Sequence, residues 1–334
     1  MKTVCICGGG NLGHVIAATL ASTQNYIINI LTNRPQSWGQ ELTVDLPDGT
    51  RQTGRINMIS SCPADVVGNA DIVLLCLPGF LIRQTIDSIL PYLQQGAALG
   101  SVVSSNGFFF EAMEKVPSSV CLFGFQRVPY IARTIEYGHS ATILGYKQSL
   151  NVCIEHSENK VPLLHTLEDM FHTPVNLLSN HYEVSLTNSN PLLHPARLYS
   201  LWHDWKDGVV YDRVPLFYEE WDTKAAEIYI AMDNEFQQLL KVLPVKPDSI
   251  PTVLDYYESH DAESLAAKLR SITAFKGIKA PMKKIENGYI PDFGSRYFTE
   301  DFPYGLGIIR KLAEEKNTDK TVIDMVFNWG KKFY

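Results

Sequence analysis

Three glycines near the N-terminus constrain this chain more than any other feature. Residues 3–13 read Thr-Val-Cys-Ile-Cys-Gly-Gly-Gly-Asn-Leu-Gly. The apolar, β-branched run Thr3–Ile6 predicts a strand, and the Ala-, Val-, Ile- and Leu-rich run Leu12–Ala21 predicts a helix. Between them Gly8, Gly10 and Gly13 fall on the G-x-G-x-x-G spacing. The first glycine permits a tight turn, the second lets a pyrophosphate approach the backbone, and the third lets the helix pack on the strand. The helix start then offers free N–H groups and a partial positive charge to phosphates. The stretch therefore predicts a Rossmann-type dinucleotide site with Gly8, Gly10, Asn11, Leu12 and Gly13 at its centre.

The strand after this turn bears on which dinucleotide fits. Tyr26–Leu31 predicts the second strand, and it ends at Thr32-Asn33-Arg34. About 20 residues past the glycine turn, an acid normally accepts the ribose 2′-hydroxyl of NAD. Here Asn33 and Arg34 stand instead, and a guanidinium suits a 2′-phosphate in charge and fork geometry. The expectation is NADP, with NAD as the lesser option.

Further along, Asp71–Leu77 is a nearly continuous apolar run, the signature of a strand buried on both faces of a parallel sheet. It ends at Leu77-Pro78, which should border the cofactor groove. Residues 42–58 read as a hairpin around Asp48-Gly49. Strand-like runs at 97–103, 120–125, 141–145, 151–154 and 174–178 alternate with helical ones at 80–90 and 163–171. From about residue 180 helical patterns dominate, above all Thr223–Leu240. The predicted architecture is an α/β N-terminal Rossmann dinucleotide-binding domain over 1–178 and an all-α C-terminal domain over 179–334.

Composition narrows the partners. The net charge of -7 argues against nucleic acid and anionic membrane. No apolar run is long enough to span a bilayer. The six cysteines lack disulfide or metal spacing, which points to free thiols in the cytoplasm and to no metal site. An aromatic-rich C-terminal half leaves a homodimer open.

Two stretches of that half carry groups for proton and carboxylate chemistry. The first is Asn188-Ser-Asn-Pro-Leu-Leu-His-Pro-Ala-Arg197. Pro195 lacks an N–H, so a helix here should start late or kink, and His194 would stand beside the break. The second is Arg296-Tyr-Phe-Thr-Glu-Asp-Phe-Pro-Tyr-Gly-Leu306. On residue type, Arg296 and Asp301 fit a carboxylate clamp and an acidic partner, but Asp301 equally fits a helix cap. The crowd of Trp202, Trp205, Tyr211, Phe217, Tyr218 and Trp221 reads first as domain core or subunit interface and second as a substrate wall.

Taken together these stretches resemble the opine dehydrogenases, the octopine/nopaline dehydrogenase family that includes carboxyethyl-norvaline dehydrogenase. The resemblance rests on Gly8-Gly-Gly-Asn-Leu-Gly13, Gln126-x-x-Pro129-Tyr130-x-x-Arg133, Asn190-Pro-x-x-His194-Pro and Arg296-x-x-x-Glu300-Asp301-x-Pro303-Tyr304-Gly305-Leu306. It implies an oxidoreductase that condenses an amino acid with a 2-oxo acid and reduces the imine with NAD(P)H. It also implies His194 as general acid/base, Asp301 as its partner, and Arg296 with Gln126 as carboxylate binders. Ketopantoate reductases and glycerol-phosphate dehydrogenases share the two-part architecture but centre on a lysine; Lys224, Lys276 and Lys279 match no such context. A third reading is a non-catalytic NADP-binding protein.

Overall fold

Parallel pairing of buried strands builds the N-terminal part of the computed structural model, which describes residues 1–334. The strands are β1 (Lys2–Cys7), β2 (Tyr26–Leu31), β3 (Glu41–Asp45), β4 (Arg51–Arg55), β5 (Met58–Ser60), β6 (Ile72–Leu75) and β7 (Ala98–Ser101). They continue with β8 (Cys121–Phe125), β9 (Tyr130–Glu136), β10 (Ser140–Tyr146), β11 (Leu150–Glu155) and β12 (Val175–Leu177). The main sheet runs β12-β11-β8-β7-β6-β1-β2-β5. Its strands pair in parallel except β11 on β8. All four residues of β6 are buried, as a strand covered on both faces requires. The order reverses at β1, so the chain leaves β1 and β6 in opposite directions and opens a crevice at their carboxyl ends.

Helix α1 (Asn11–Ser22) follows the glycine turn directly, one residue longer at each end than the run the sequence suggests. The hairpin expected around Asp48-Gly49 forms as β3 and β4. It is half of a second sheet, ordered β4-β3-β10-β9. The β9–β10 hairpin is delivered from about a hundred residues later, and no local pattern announces that pairing.

Contacts divide the chain into Met1–Ser185 and Leu186–Tyr334. The break falls beyond residue 178 because a short helix over His181–Ser185 is tied to the first unit. There His181 donates its backbone N–H to Glu155 Oε1 at 3.1 Å, with its Nδ1 also at 3.1 Å from the same oxygen.

The second unit is helical and carries one two-stranded hairpin, Met282–Ile285 with Gly288–Pro291. Its principal helices are α2 (Asn190–Trp202) and α3 (Thr223–Val242). Trp202, Phe217, Trp221, Phe298 and Phe302 are fully buried, so most of the aromatic crowd is core. Each such ring removes roughly 150–250 Å² from water. Glu235 of α3 turns its carboxylate to the N–H groups of Val322 (2.7 Å) and Ile323 (2.9 Å), capping the C-terminal helix Thr321–Gly330. No helix is long and apolar enough to cross a membrane.

Candidate active site

The glycine turn is held by sterics that only glycine satisfies. Gly8 has φ +117°, and a Cβ there would lie 2.7 Å from the Cys76 carbonyl oxygen. A Cβ on Gly13 would come within 2.1 Å of the Gly8 carbonyl oxygen, while nothing stands within 4 Å of Gly10's. The turn is thus packed on one side and open on the other. No side chain caps α1, which leaves its N-terminus available for an anion. Asn11 is exposed, and its Oδ1 accepts the Thr134 N–H at 2.9 Å, pinning α1 to β9. Leu12 is half-buried against the core, and Pro78 starts the helix Gly79–Ile89.

A cleft of ≈ 510 Å³ opens over the turn, lined among others by Gly8, Gly9, Asn33, Arg34, Leu77 and Tyr137. None of its lining residues is a carboxylate. Asn33 and Arg34 are exposed at its rim. Tyr137, at the β9–β10 turn, was not legible as a cleft residue. Its hydroxyl lies 3.5 Å from Thr32 Oγ1, and its ring sits 5.9 Å from the Arg34 guanidinium carbon.

Tyr137 is held from below by His14, the residue after Gly13. His14 Nδ1 lies 2.9 Å from the Gly10 carbonyl oxygen, and Nε2 lies 2.6 Å from the Gly138 N–H. The neutral tautomer with hydrogen on Nδ1 satisfies both bonds. The ring stacks on Trp38 at 4.2 Å, and burial pushes the imidazole below its ordinary value. A cleft of this size, an uncapped helix start and glycines crowded from behind fit a dinucleotide.

In the second unit the two motif stretches meet. Helix α2 runs unbroken through Pro195, without the late start the sequence suggests. Pro191 occupies its first turn, where a missing N–H does no harm. His194 is 8% exposed, and its Nδ1 is 2.7 Å from Asp301 Oδ2. Asp301 therefore serves the histidine and not the following turn, where it makes no side-chain cap. That turn, Phe302–Leu306, is a π-helix closed by Leu306 N–H to Asp301 O at 2.8 Å. Gly305 has its place here, since a Cβ on it would meet Pro191 at 2.9 Å. Backbone contact at Gly305 brings the start of α2 against the turn that carries Asp301.

The other nitrogen of His194, Nε2, is 3.0 Å from the hydroxyl of Tyr218. Tyr297 lies beside the imidazole with ring centroids 4.6 Å apart. Arg296, its neighbour, is exposed and forms no ion pair. Gln126 follows β8 in the first unit, half-buried, and its Oε1 accepts from Asn151 Nδ2 at 3.0 Å. Lys224, Lys276 and Lys279 are all exposed, and none bonds to His194 or Asp301. Asp222 caps α3 through the Ala225 N–H, Glu220 pairs with Arg213, and Glu219 accepts from the Gly277 N–H.

A Rossmann unit with this cleft, followed by a helical unit built around a buried His–Asp pair, defines a two-domain NAD(P)-dependent dehydrogenase. Residues 177–334 match the family described as NAD/NADP octopine/nopaline dehydrogenase, alpha-helical domain. An opine dehydrogenase from Haliotis discus hannai is 28% identical over 363 residues, covering 99% of this chain and 89% of that one. A solved octopine dehydrogenase with NADH and L-arginine has a TM-score of 0.87 at 28% identity, covering 99% and 89%. The same enzyme with NADH and pyruvate gives 0.86 at 27%, with the same coverage. Residues 177–334 thus match the helical domain of the octopine/nopaline dehydrogenases, and the chain is an NAD(P)-dependent oxidoreductase acting on CH–NH groups.

Proposed function

We propose that this protein condenses an amino acid with a 2-oxo acid and reduces the product to a secondary amine, with NADPH preferred to NADH. The buried His194–Asp301 pair carries this reading. A histidine held by a carboxylate on one nitrogen can give and take a proton at the other. His194 protonates the oxo oxygen as the amine adds and water leaves. Asp301 fixes the tautomer and balances the imidazolium charge. Arg296 holds the oxo-acid carboxylate, and Gln126 is a second candidate carboxylate binder. Its exposed, unpaired guanidinium supports that role.

Gly8, Gly10, Asn11, Leu12, Gly13, Leu77 and Pro78 hold the dinucleotide's phosphates and ribose, and NADPH when bound supplies the hydride. Arg34 and Asn33 take the 2′-phosphate, a reading supported by a cleft without a carboxylate. The acids Glu219, Glu220 and Asp222 already have partners, so they do not favour a basic amino acid. All six cysteines are free, which suits a reducing compartment such as the cytoplasm.

The test is NADPH oxidation followed at 340 nm across amino acids paired with pyruvate, glyoxylate or 2-oxoglutarate. Oxidation that needs both partners supports the reading. Binding of NADPH with no oxidation across the panel would make the chain a nucleotide-binding protein without this chemistry.

A further inference from the structure

His194 has a second hydrogen-bond partner that neither motif contains. Asp301 occupies Nδ1, and Tyr218 occupies Nε2 at 3.0 Å. Nε2 is the nitrogen through which a carboxylate-held histidine exchanges its proton, so whatever bonds to it bears on that exchange. Tyr218 is 5% exposed and stacks on Phe275, with ring centroids 4.0 Å apart and planes 18° apart. Burial holds its phenol well above the usual tyrosine range, so the hydroxyl keeps its hydrogen at working pH.

The segment carrying Tyr218 is fixed by the same helix that carries His194. Arg197 stands one turn on in α2, therefore on the same face. It is 1% exposed. Its Nε donates to the Phe217 carbonyl at 3.0 Å and its Nη2 to the Glu220 carbonyl at 2.7 Å. Those carbonyls flank Tyr218 on either side. The guanidinium also lies 5.5 Å from the Trp221 ring centre. Burying a guanidinium is expensive unless its hydrogen bonds are made. Here Nε and Nη2 bond the backbone around Tyr218, while Nη1 has no hydrogen bond and faces Asp222 Oδ2 at 3.6 Å, so the guanidinium ties the Tyr218 segment to α2.

We propose that Tyr218 is a positioning residue for His194, holding Nε2 in a hydrogen bond in both protonation states of the imidazole. A phenol both donates and accepts. With neutral His194 the hydroxyl donates to the Nε2 lone pair, and the hydrogen on Nδ1 goes to Asp301. With the imidazolium, Nε2–H is shared between the phenol oxygen and the oxo oxygen that takes the proton, and the phenol hydrogen rotates away. The imidazole thus keeps one orientation while its proton comes and goes. The titratable and charged groups packed around the pair are Asp301 at the π turn, Tyr297 on Arg296–Thr299, Arg197 on α2 itself, and Tyr257 beside Tyr218. The inference rests on His194 being the acid/base of the proposed reaction.

The experiment compares Tyr218→Phe, 3,5-difluorotyrosine at position 218, and His194→Asn in the full chain. Losing one hydrogen bond at the reacting nitrogen corresponds to roughly a tenfold fall in kcat. Tyr218→Phe is expected to show that fall, KM values within about threefold of wild type, unchanged NADPH binding and a displaced pH profile of kcat/KM. Difluorotyrosine keeps the ring and the hydroxyl but makes it a stronger donor, so kcat should recover while the profile stays displaced. A wild-type kcat and profile in Tyr218→Phe overturns the proposal. So does an equal fall in both Tyr218 variants, which would mark a packing effect. If Tyr218→Phe fails to fold, an undisplaced profile with difluorotyrosine overturns it. His194→Asn separates the two readings: retained turnover there refutes the role of His194 itself, whereas lost turnover with an unaffected Tyr218→Phe refutes only the role of Tyr218.

Discussion

Replacing Asp301 with asparagine tests the His–Asp pair with little change of shape. The amide can turn its oxygen toward Nδ1, so the tautomer of His194 survives and only the charge is lost. The contact is short, 2.7 Å, and the two side chains are 10% and 20% exposed, so solvent screens it only partly. A hydrogen bond to a charged group is worth about 1.5–3 kcal/mol, against about 1 kcal/mol for a neutral one. The difference matters only when His194 is an imidazolium, so it falls on the step that charges the ring. At 1.36 kcal/mol per factor of ten, kcat should fall by between about twofold and about thirtyfold. Asp301→Ala removes the bond altogether and should fall further, by up to about a hundredfold. The assay is NADPH oxidation under saturating amine and oxo acid, with NADPH binding measured separately by fluorescence. An Asp301→Ala enzyme that folds, binds NADPH and turns over at the wild-type rate would refute the argument.

Other outcomes follow from other parts of the chain. Arg34→Ala should raise KM for NADPH by roughly ten- to a hundredfold and leave NADH nearly unchanged, since a charge-assisted contact is worth about 1.5–3 kcal/mol; equal effects on both cofactors would defeat the assignment. Burial lowers the pKa of His14, so the unfolded chain takes up a proton near 6.5 that the native state resists. Its contribution to stability is present above that pH and is lost as the pH falls below it. Melting at pH 7.5 and pH 5.5 should show a larger loss of Tm in the wild type than in His14→Gln; parallel curves would contradict this. Asp233 is the opposite case, with its carboxyl raised by burial from 3.8 to about 6. The stability it gives in its protonated form is present below 3.8 and is lost as the pH rises through about 6. Asp233→Asn keeps an acceptor for the Val253 N–H, so it should stabilise the fold at pH 8 by at most about 3 kcal/mol, seen as a higher Tm, and by roughly half as much at pH 5. A lower Tm at pH 8 would count against it.

The sequence by itself determined what local sterics and periodicity determine. Gly8 and Gly13 must be glycine because backbone atoms crowd them, so their spacing showed the dinucleotide turn before any fold was known. Strand β2 begins and ends at the residues the apolar run predicts, which is why Asn33 and Arg34 could be placed just beyond it. His194 and Asp301 were legible as motif members, but their bond joins residues 107 apart. Close packing of Gly305 against Pro191 brings the two stretches together. The same packing withdrew Asp301 from the cap that its sequence context also allowed. Tyr218 was legible only as a member of a crowd read second as a substrate wall, and Tyr137 was not legible as a site residue. One sat in an aromatic crowd that reads as core, and core it is, apart from a single hydroxyl. The other reaches the cleft on a hairpin paired to strands about a hundred residues earlier. Local chemistry is written in neighbouring residues; which distant groups share a hydrogen bond is settled when side chains close-pack, and only the tertiary structure decides that.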